Sequence, residues 1–209
     1  MSRRLSLALA LACLLCACDA YTSKGDDPAP AADVDAGVGV DAAAAGACVD
    51  QRPSYPPGPY GLGEGAIIAN LAFTEADGTP LDLGAVHAPC AQKLLLVTTS
   101  AGWCTACREE QPKLQALYQD FEARGLVVMV AYFENDDYDP AELSGVVRWK
   151  QRYGLSFPVV LDEAFQFGDY YDRALTPMTM LVDLETMEIE RLMTGYDDST
   201  LRAILGARL

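Results

Sequence analysis

Cys104 and Cys107 are separated by only Thr105 and Ala106. Three positions on a helix make nearly one turn, so two thiols at this spacing can reach each other. A thiolate in such a pair attacks a disulfide, forms a mixed disulfide, and is displaced by its neighbour. The preceding run, Lys93 to Thr99, is almost continuously apolar, as in a buried strand. A helical pattern follows from about Cys104 to Arg124, with Leu114, Leu117, Tyr118 and Phe121 on one face and Gly125 as its stop. The first cysteine therefore falls at a helix N-terminus, where unpaired backbone N–H groups favour a thiolate.

Rival chemistries for the pair fit less well. A structural zinc site needs four ligands. Only His87, Cys48 and Cys90 could complement the pair, and they form no second closely spaced set. Copper delivery on a related scaffold uses Cys-x-x-x-Cys and a downstream His, whereas the single histidine here, His87, precedes both cysteines. A thiol peroxidase would carry Pro and Thr where Val97 and Ala101 stand. Copper binding and peroxide reduction remain the alternatives to thiol-disulfide exchange. No metal or other cofactor is expected.

The chain has 209 residues, seven cysteines and a net charge of −15. So acidic a surface repels nucleic acid phosphates, which argues against nucleic acid as a partner. Ser2-Arg3-Arg4 followed by the apolar stretch Leu5 to Ala17 has the form of an export signal. That stretch is too short for a bilayer-spanning helix of about 20 residues. Leu15-Cys16-Ala17-Cys18 resembles a bacterial lipobox, which makes residues 1–17 a lipoprotein signal peptide and Cys18 the lipidated residue. The expected location is the cell envelope outside the cytoplasm, on its periplasmic face, with the N-terminal lipid as the membrane contact.

With Cys13 and Cys16 removed and Cys18 acylated, four cysteines remain. Cys104 and Cys107 pair with each other, which leaves Cys48 and Cys90 as a structural disulfide or as two buried thiols. Residues 18–60 are rich in Ala, Asp and Pro and poor in aromatics, the composition of a disordered tether. Folded structure is expected over 61–209. Ile67 to Phe73 reads as a strand, and Pro80 to Leu83 resumes an extended path after a turn, giving a hairpin. Leu126 to Phe133 is a second buried strand. Asp139, Pro140 and Glu142 suggest a capped helix running to Tyr153. Phe157 to Leu161, Met178 to Asp183 and Glu188 to Met193 are further strands, and Ser199 to Leu209 an amphipathic helix. The pattern is one α/β domain: a central mixed sheet flanked by helices, with an N-terminal β-hairpin.

Trp103, Cys104, Cys107, Arg108, Glu110, Pro112, Leu114, Phe157-Pro158, Asp162 and Thr176-Pro177 together resemble the thioredoxin superfamily. Within it, Ile67 to Leu209 is similar to the TlpA/ResA-like thiol-disulfide oxidoreductases of the bacterial cell envelope. The resemblance implies a thioredoxin-like fold, with Cys104 as attacking thiol and Cys107 as resolving thiol. It makes Pro177 a cis-proline facing the pair, with the Thr176 backbone presented to an incoming peptide. Trp103 would flank the site, or pack in the core. Glu110 would relay the proton of Cys107, or lie on a solvated helix face. Thr98 stands where thioredoxins carry a buried Asp, which shifts acid–base duty toward Glu110. The implied partners are thiols and disulfides of exported proteins, and an upstream thiol electron donor.

Overall fold

A computed structural model of the chain describes residues 50–209. The proposed signal segment, most of the proposed tether, Cys18 and Cys48 lie outside the described residues. Seven strands form one sheet: β1 (Ala72–Glu75), β2 (Pro80–Asp82), β3 (Leu94–Ala101), β4 (Leu126–Glu134), β5 (Val159–Leu161), β6 (Met178–Asp183) and β7 (Ile189–Thr194). Their order is β2-β1-β5-β4-β3-β6-β7. β3, β4 and β5 run parallel. β6 runs antiparallel to β3, β7 to β6, β1 to β5, and β2 to β1.

The helices are α1 (Leu83–His87), α2 (Thr105–Phe121), α3 (Leu143–Tyr153) and α4 (Asp198–Arg208). Alternation along the central strands builds two apolar layers. Leu94 and Leu96 of β3, with Val128 and Val130 of β4, face α2, α3 and α4 through Leu114, Leu117, Val146, Trp149, Leu201 and Leu205. Leu95 and Val97, with Met129 and Ala131, face the other side, where Leu83 and Val86 of α1 and Phe167 pack. This is the expected mixed sheet, hairpin included.

Several local expectations are corrected. Asp139, Pro140 and Glu142 do not form a capping box. α3 begins at Leu143, and Glu142 at its N-cap makes no side-chain cap hydrogen bond. The competing interaction is backbone pairing. Asn135 N donates to Asp139 O and Ala141 N to Phe133 O, so residues 139–141 continue along the end of β4. Ile67 to Phe73 is not one strand: regular pairing starts at Ala72, while Ile67 makes only isolated bridges to Tyr60 and Glu188. Leu83 opens the short helix α1, whose N-cap Asp82 accepts from Ala85 N at 2.7 Å.

The packed region also reaches back past Gly61. Gln51 bridges Pro89. Arg52 donates to the carbonyls of His87, Pro89 and Gln92 at 2.5, 2.8 and 2.7 Å. Tyr55 donates to Ile68 O at 2.8 Å. One arginine thus satisfies three loop carbonyls, an anchor that Pro-rich composition hides.

The site end of the sheet is shaped by close approach. A register shift after Ser100 pairs Ala101 with Glu134, and Gly102 N donates to Glu134 O at 2.8 Å. A Cβ at Gly102 would meet Asp136 N at 2.6 Å, Asn135 C at 2.7 Å and Tyr132 Oη at 2.8 Å. Two of those atoms are backbone and cannot swing aside. Gly102→Ala should therefore lower unfolding stability by about 1–3 kcal/mol, read as a lower denaturation midpoint. An unchanged midpoint would contradict this packing.

Candidate active site

β3 changes character along its length. Leu94 to Val97 are apolar, whereas Thr98, Thr99 and Ser100 are polar and fully buried. The strand then turns through Gly102 into α2, whose N-cap is Cys104. Cys104 and Cys107 are joined in a disulfide, with Cα atoms 5.3 Å apart. The Cys107 N–H donates to Cys104 Sγ at 3.0 Å. Cys104 keeps 4% of its surface exposed and Cys107 none. An incoming thiolate therefore meets Cys104 first, and the sulfur it meets sits at the positive end of a 17-residue helix.

The Thr176–Pro177 bond is cis. The Thr176 carbonyl oxygen lies 3.9 Å from Cys104 Sγ, so the two segments meet across the disulfide. Two hydroxyl contacts hold that loop. Tyr171 Oη lies 3.0 Å from Thr176 Oγ1, which in turn donates to Arg173 O at 2.7 Å. Just past the proline, Met178 N donates to Thr99 Oγ1 at 2.9 Å, and the carbonyl of that threonine lies 3.8 Å from Cys107 Sγ.

Glu110 lies on the buried face of α2, 2% exposed, not on the solvated face. Thr98 donates its hydroxyl to Glu110 Oε1 at 2.7 Å. Gln111 Nε2 donates to Cys107 O at 2.8 Å and lies 3.5 Å from the same Glu110 oxygen. Glu110 Oε2 has no protein partner. Burial pushes the carboxyl up to about 8, against the Thr98 hydroxyl and the Lys113 ammonium, which pull it down. Near neutral pH the group holds a proton inside the protein, three residues beyond Cys107.

Trp103 both packs and flanks. Its ring meets Phe133 edge-on at 6.4 Å and stacks on Tyr138 at 5.3 Å. Its Nε1 donates to Glu134 Oε2 at 2.7 Å, an oxygen that also accepts from Arg173 Nε at 3.1 Å and Nη2 at 2.5 Å. Asp162 is structural: its carboxylate accepts from Gln166 N at 2.7 Å and Phe167 N at 3.2 Å, shaping the segment that leads to Tyr171. Cys90 is disulfide-bonded; its proposed partner Cys48 lies outside the described residues.

Trp103, Cys104, Cys107, Glu110, Thr176 and Pro177 thus converge on one end of the sheet, with Thr98 beneath. Tyr138, Glu134, Tyr171 and Arg173 join them, and the sequence reading did not single these out. Glu134 carried a usable signal, as the charge that ends a buried strand. Ligand sites in α/β sheets gather at the carboxyl ends of the parallel strands.

Fold and disulfide together define a thiol-disulfide oxidoreductase of thioredoxin-like architecture. The chain belongs to the AhpC/TSA family of that superfamily, matching it over residues 65–191. It is 30% identical over 133 residues to the thiol-disulfide oxidoreductase ResA of Halalkalibacterium halodurans, covering 64% of this chain and 68% of that protein. Among solved structures, it is similar in fold to the thioredoxin domain of a thiol-disulfide oxidoreductase from Bacteroides vulgatus. There the TM-score is 0.55 at 19% identity, over 69% of this chain and 99% of the other. A secreted disulfide oxidoreductase of Mycobacterium tuberculosis aligns with a TM-score of 0.51 at 16% identity, over 66% and 96% of the two chains.

The Glu110 carboxyl gives a stability prediction with a definite sign. Its folded value, about 8, lies above its ordinary 4.5. The contribution is therefore complete below about pH 4.5 and is lost as pH rises through about 8. Glu110→Gln stays neutral throughout. Across that window wild type should lose a few kcal/mol relative to the variant in denaturant titrations. A constant difference between the two proteins would contradict a protonated, buried Glu110.

Proposed function

We propose that the protein is a membrane-tethered, extracytoplasmic reductase of disulfides in exported proteins, working through Cys104 and Cys107. The observation that carries the reading is the asymmetry of the pair: Cys104, whose sulfur accepts the Cys107 N–H, is also the cysteine with residual exposure.

In the reduced protein, the Cys104 thiolate attacks one sulfur of a substrate disulfide. The substrate S–S bond breaks, one substrate sulfur leaves as a thiolate, and a mixed disulfide forms at Cys104. Cys107 then gives up its proton and attacks Cys104 Sγ, releasing the second substrate sulfur. Two electrons pass to the substrate and the Cys104–Cys107 disulfide remains. An upstream dithiol returns two electrons by the reverse steps. Glu110, buried on the same helix face and linked to the Cys107 carbonyl through Gln111, balances the proton. It protonates the Cys107 thiolate released when the upstream dithiol opens the disulfide, and as a carboxylate takes that proton back when Cys107 attacks Cys104 Sγ. Trp103, Thr176 and Pro177 form the substrate edge, with the Thr176 backbone offered for pairing with an extended peptide.

Export is supported by the N-terminal sequence and tethering by the lipobox at Cys18. Among the described residues, no helix is long and apolar enough to cross a membrane. A Cys48–Cys90 bridge would fasten the end of the tether to the loop before β3.

The mechanism separates the cysteines experimentally. Cys104→Ser should abolish disulfide reduction. Cys107→Ser should still attack but fail to resolve, accumulating mixed disulfides visible on non-reducing gels. Equal turnover in both variants and wild type would end the assignment, and robust peroxide consumption in place of disulfide turnover would favour a thiol peroxidase. Separately, cells expressing the protein should incorporate labelled fatty acid into wild type but not into Cys18→Ser. Equal labelling of both would remove the anchor from Cys18.

A further inference from the structure

Beside the disulfide lies a small cleft of about 370 Å³, lined by Trp103, Tyr138, Asp172, Arg173 and Ala174. We infer that this cleft is a specificity pocket for an aromatic side chain close to the reactive cysteine of the substrate polypeptide. The inference rests on the proposed reduction of protein disulfides and adds which ones are preferred.

Position is the first argument. Trp103 immediately precedes Cys104, and Arg173–Leu175 is the turn that delivers Thr176. The cleft walls are therefore chain neighbours of the two groups that a substrate cysteine must meet, Cys104 Sγ and Thr176 O. A peptide crossing that edge brings its flanking residues over the cleft.

The chemistry of the walls is the second. Trp103 and Tyr138 stack with planes 17° apart. The Arg173 guanidinium sits 5.8 Å from the Trp103 ring centroid. Its hydrogen bonds to Glu134 already engage that cation, and Asp172 lies on the rim, so an anionic side chain finds no free charge to pair with. What remains is π surface and a delocalised cation face, which suit another ring. The volume is at the low end for ligand pockets, room for one large side chain and not for a drug-sized molecule.

The third is an exposed tyrosine in an unfavourable backbone state. Tyr138 is 62% exposed, yet its φ is +65°, in the left-handed region that bulky residues avoid. Asn135 Oδ1 accepts from Asp137 N at 2.8 Å and Asp139 N at 3.0 Å, a local turn that fixes the excursion. Its outcome is a ring laid on Trp103 with its other face open. Four large hydrophobic side chains are exposed among the described residues, and Tyr138 is the most exposed of them.

The test uses the reduced full-length protein and two synthetic peptide disulfides, identical except that tryptophan or glycine flanks the cysteine. Wild type should reduce the tryptophan peptide with kcat/KM about tenfold higher. Tyr138→Ala should bring that ratio close to one, and Tyr138→Phe should keep it. Equal kcat/KM for both peptides in wild type, or a preference that Tyr138→Ala leaves intact, would overturn the pocket while leaving disulfide reduction standing. Reduction of neither peptide would overturn the function on which the pocket rests.

Discussion

The Cys107 N–H that points at Cys104 Sγ exists only because α2 begins between the two cysteines. An N-cap residue has extended backbone while the following residues are helical, so its side chain turns back toward the free N–H groups of the first turn. Usually an oxygen accepts there; in this chain a sulfur does. That single substitution puts a potential anion on the helix axis and brings the second sulfur within bonding reach. The requirement propagates outward. β3 must end where the helix starts, Gly102 must allow Asp136 and Tyr132 to come close, and the β3–β4 register must shift by one residue to let the chain turn.

Beneath that helix start, the protein keeps a polar layer that a stability optimum would not choose. Thr98, Thr99, Ser100, Glu110 and Gln111 are all buried, and one oxygen on each of Glu110 and Gln111 has no protein partner. A buried, unsatisfied polar atom typically costs about 1–3 kcal/mol. The chain lowers this cost by keeping Glu110 protonated, since a neutral carboxyl is far cheaper to bury than an anion. In the proposed mechanism the same proton is what a thiolate generated at Cys107 needs. Stability and the proposed chemistry thus favour the same protonation state at rest, and two of the four buried unpartnered polar atoms among the described residues lie in the layer directly behind the disulfide.

Much of this arrangement was legible in the sequence. The apolar run into Cys-x-x-Cys, the strand–helix alternation and the Thr-Pro pair located the fold and the reactive edge. Even the burial of Glu110 was encoded: Glu110, Leu114, Leu117 and Phe121 fall at successive helical spacings on one stripe. A charged residue heading an apolar stripe was the sign, and the general preference of carboxylates for water obscured it. The start of α3 was misplaced because a capping signature is local, whereas backbone pairing of 139–141 with the end of β4 is tertiary. Arg52 was hidden for the same reason, since its three carbonyl partners lie 35 to 40 residues away. Tyr138 was invisible because nothing in a sequence announces a tyrosine with positive φ.

The site draws on segments far apart in the chain, and strand direction brings them together. β3 and β4 are parallel, so Ala101 and Glu134 pair at their shared carboxyl end. β6 runs the opposite way, with Thr179 beside Thr98, so its beginning, not its end, reaches that edge. The cis-proline loop precedes β6 and therefore lands over Cys104. Were β6 parallel to β3, Thr176 would sit at the far end of the sheet and the disulfide would face solvent with no backbone to align a substrate. The reversal of one strand is thus what converts a helix-capping sulfur into a site with two sides. It also brings the loop before β6 to the rim where Trp103, Glu134, Tyr138 and Arg173 meet.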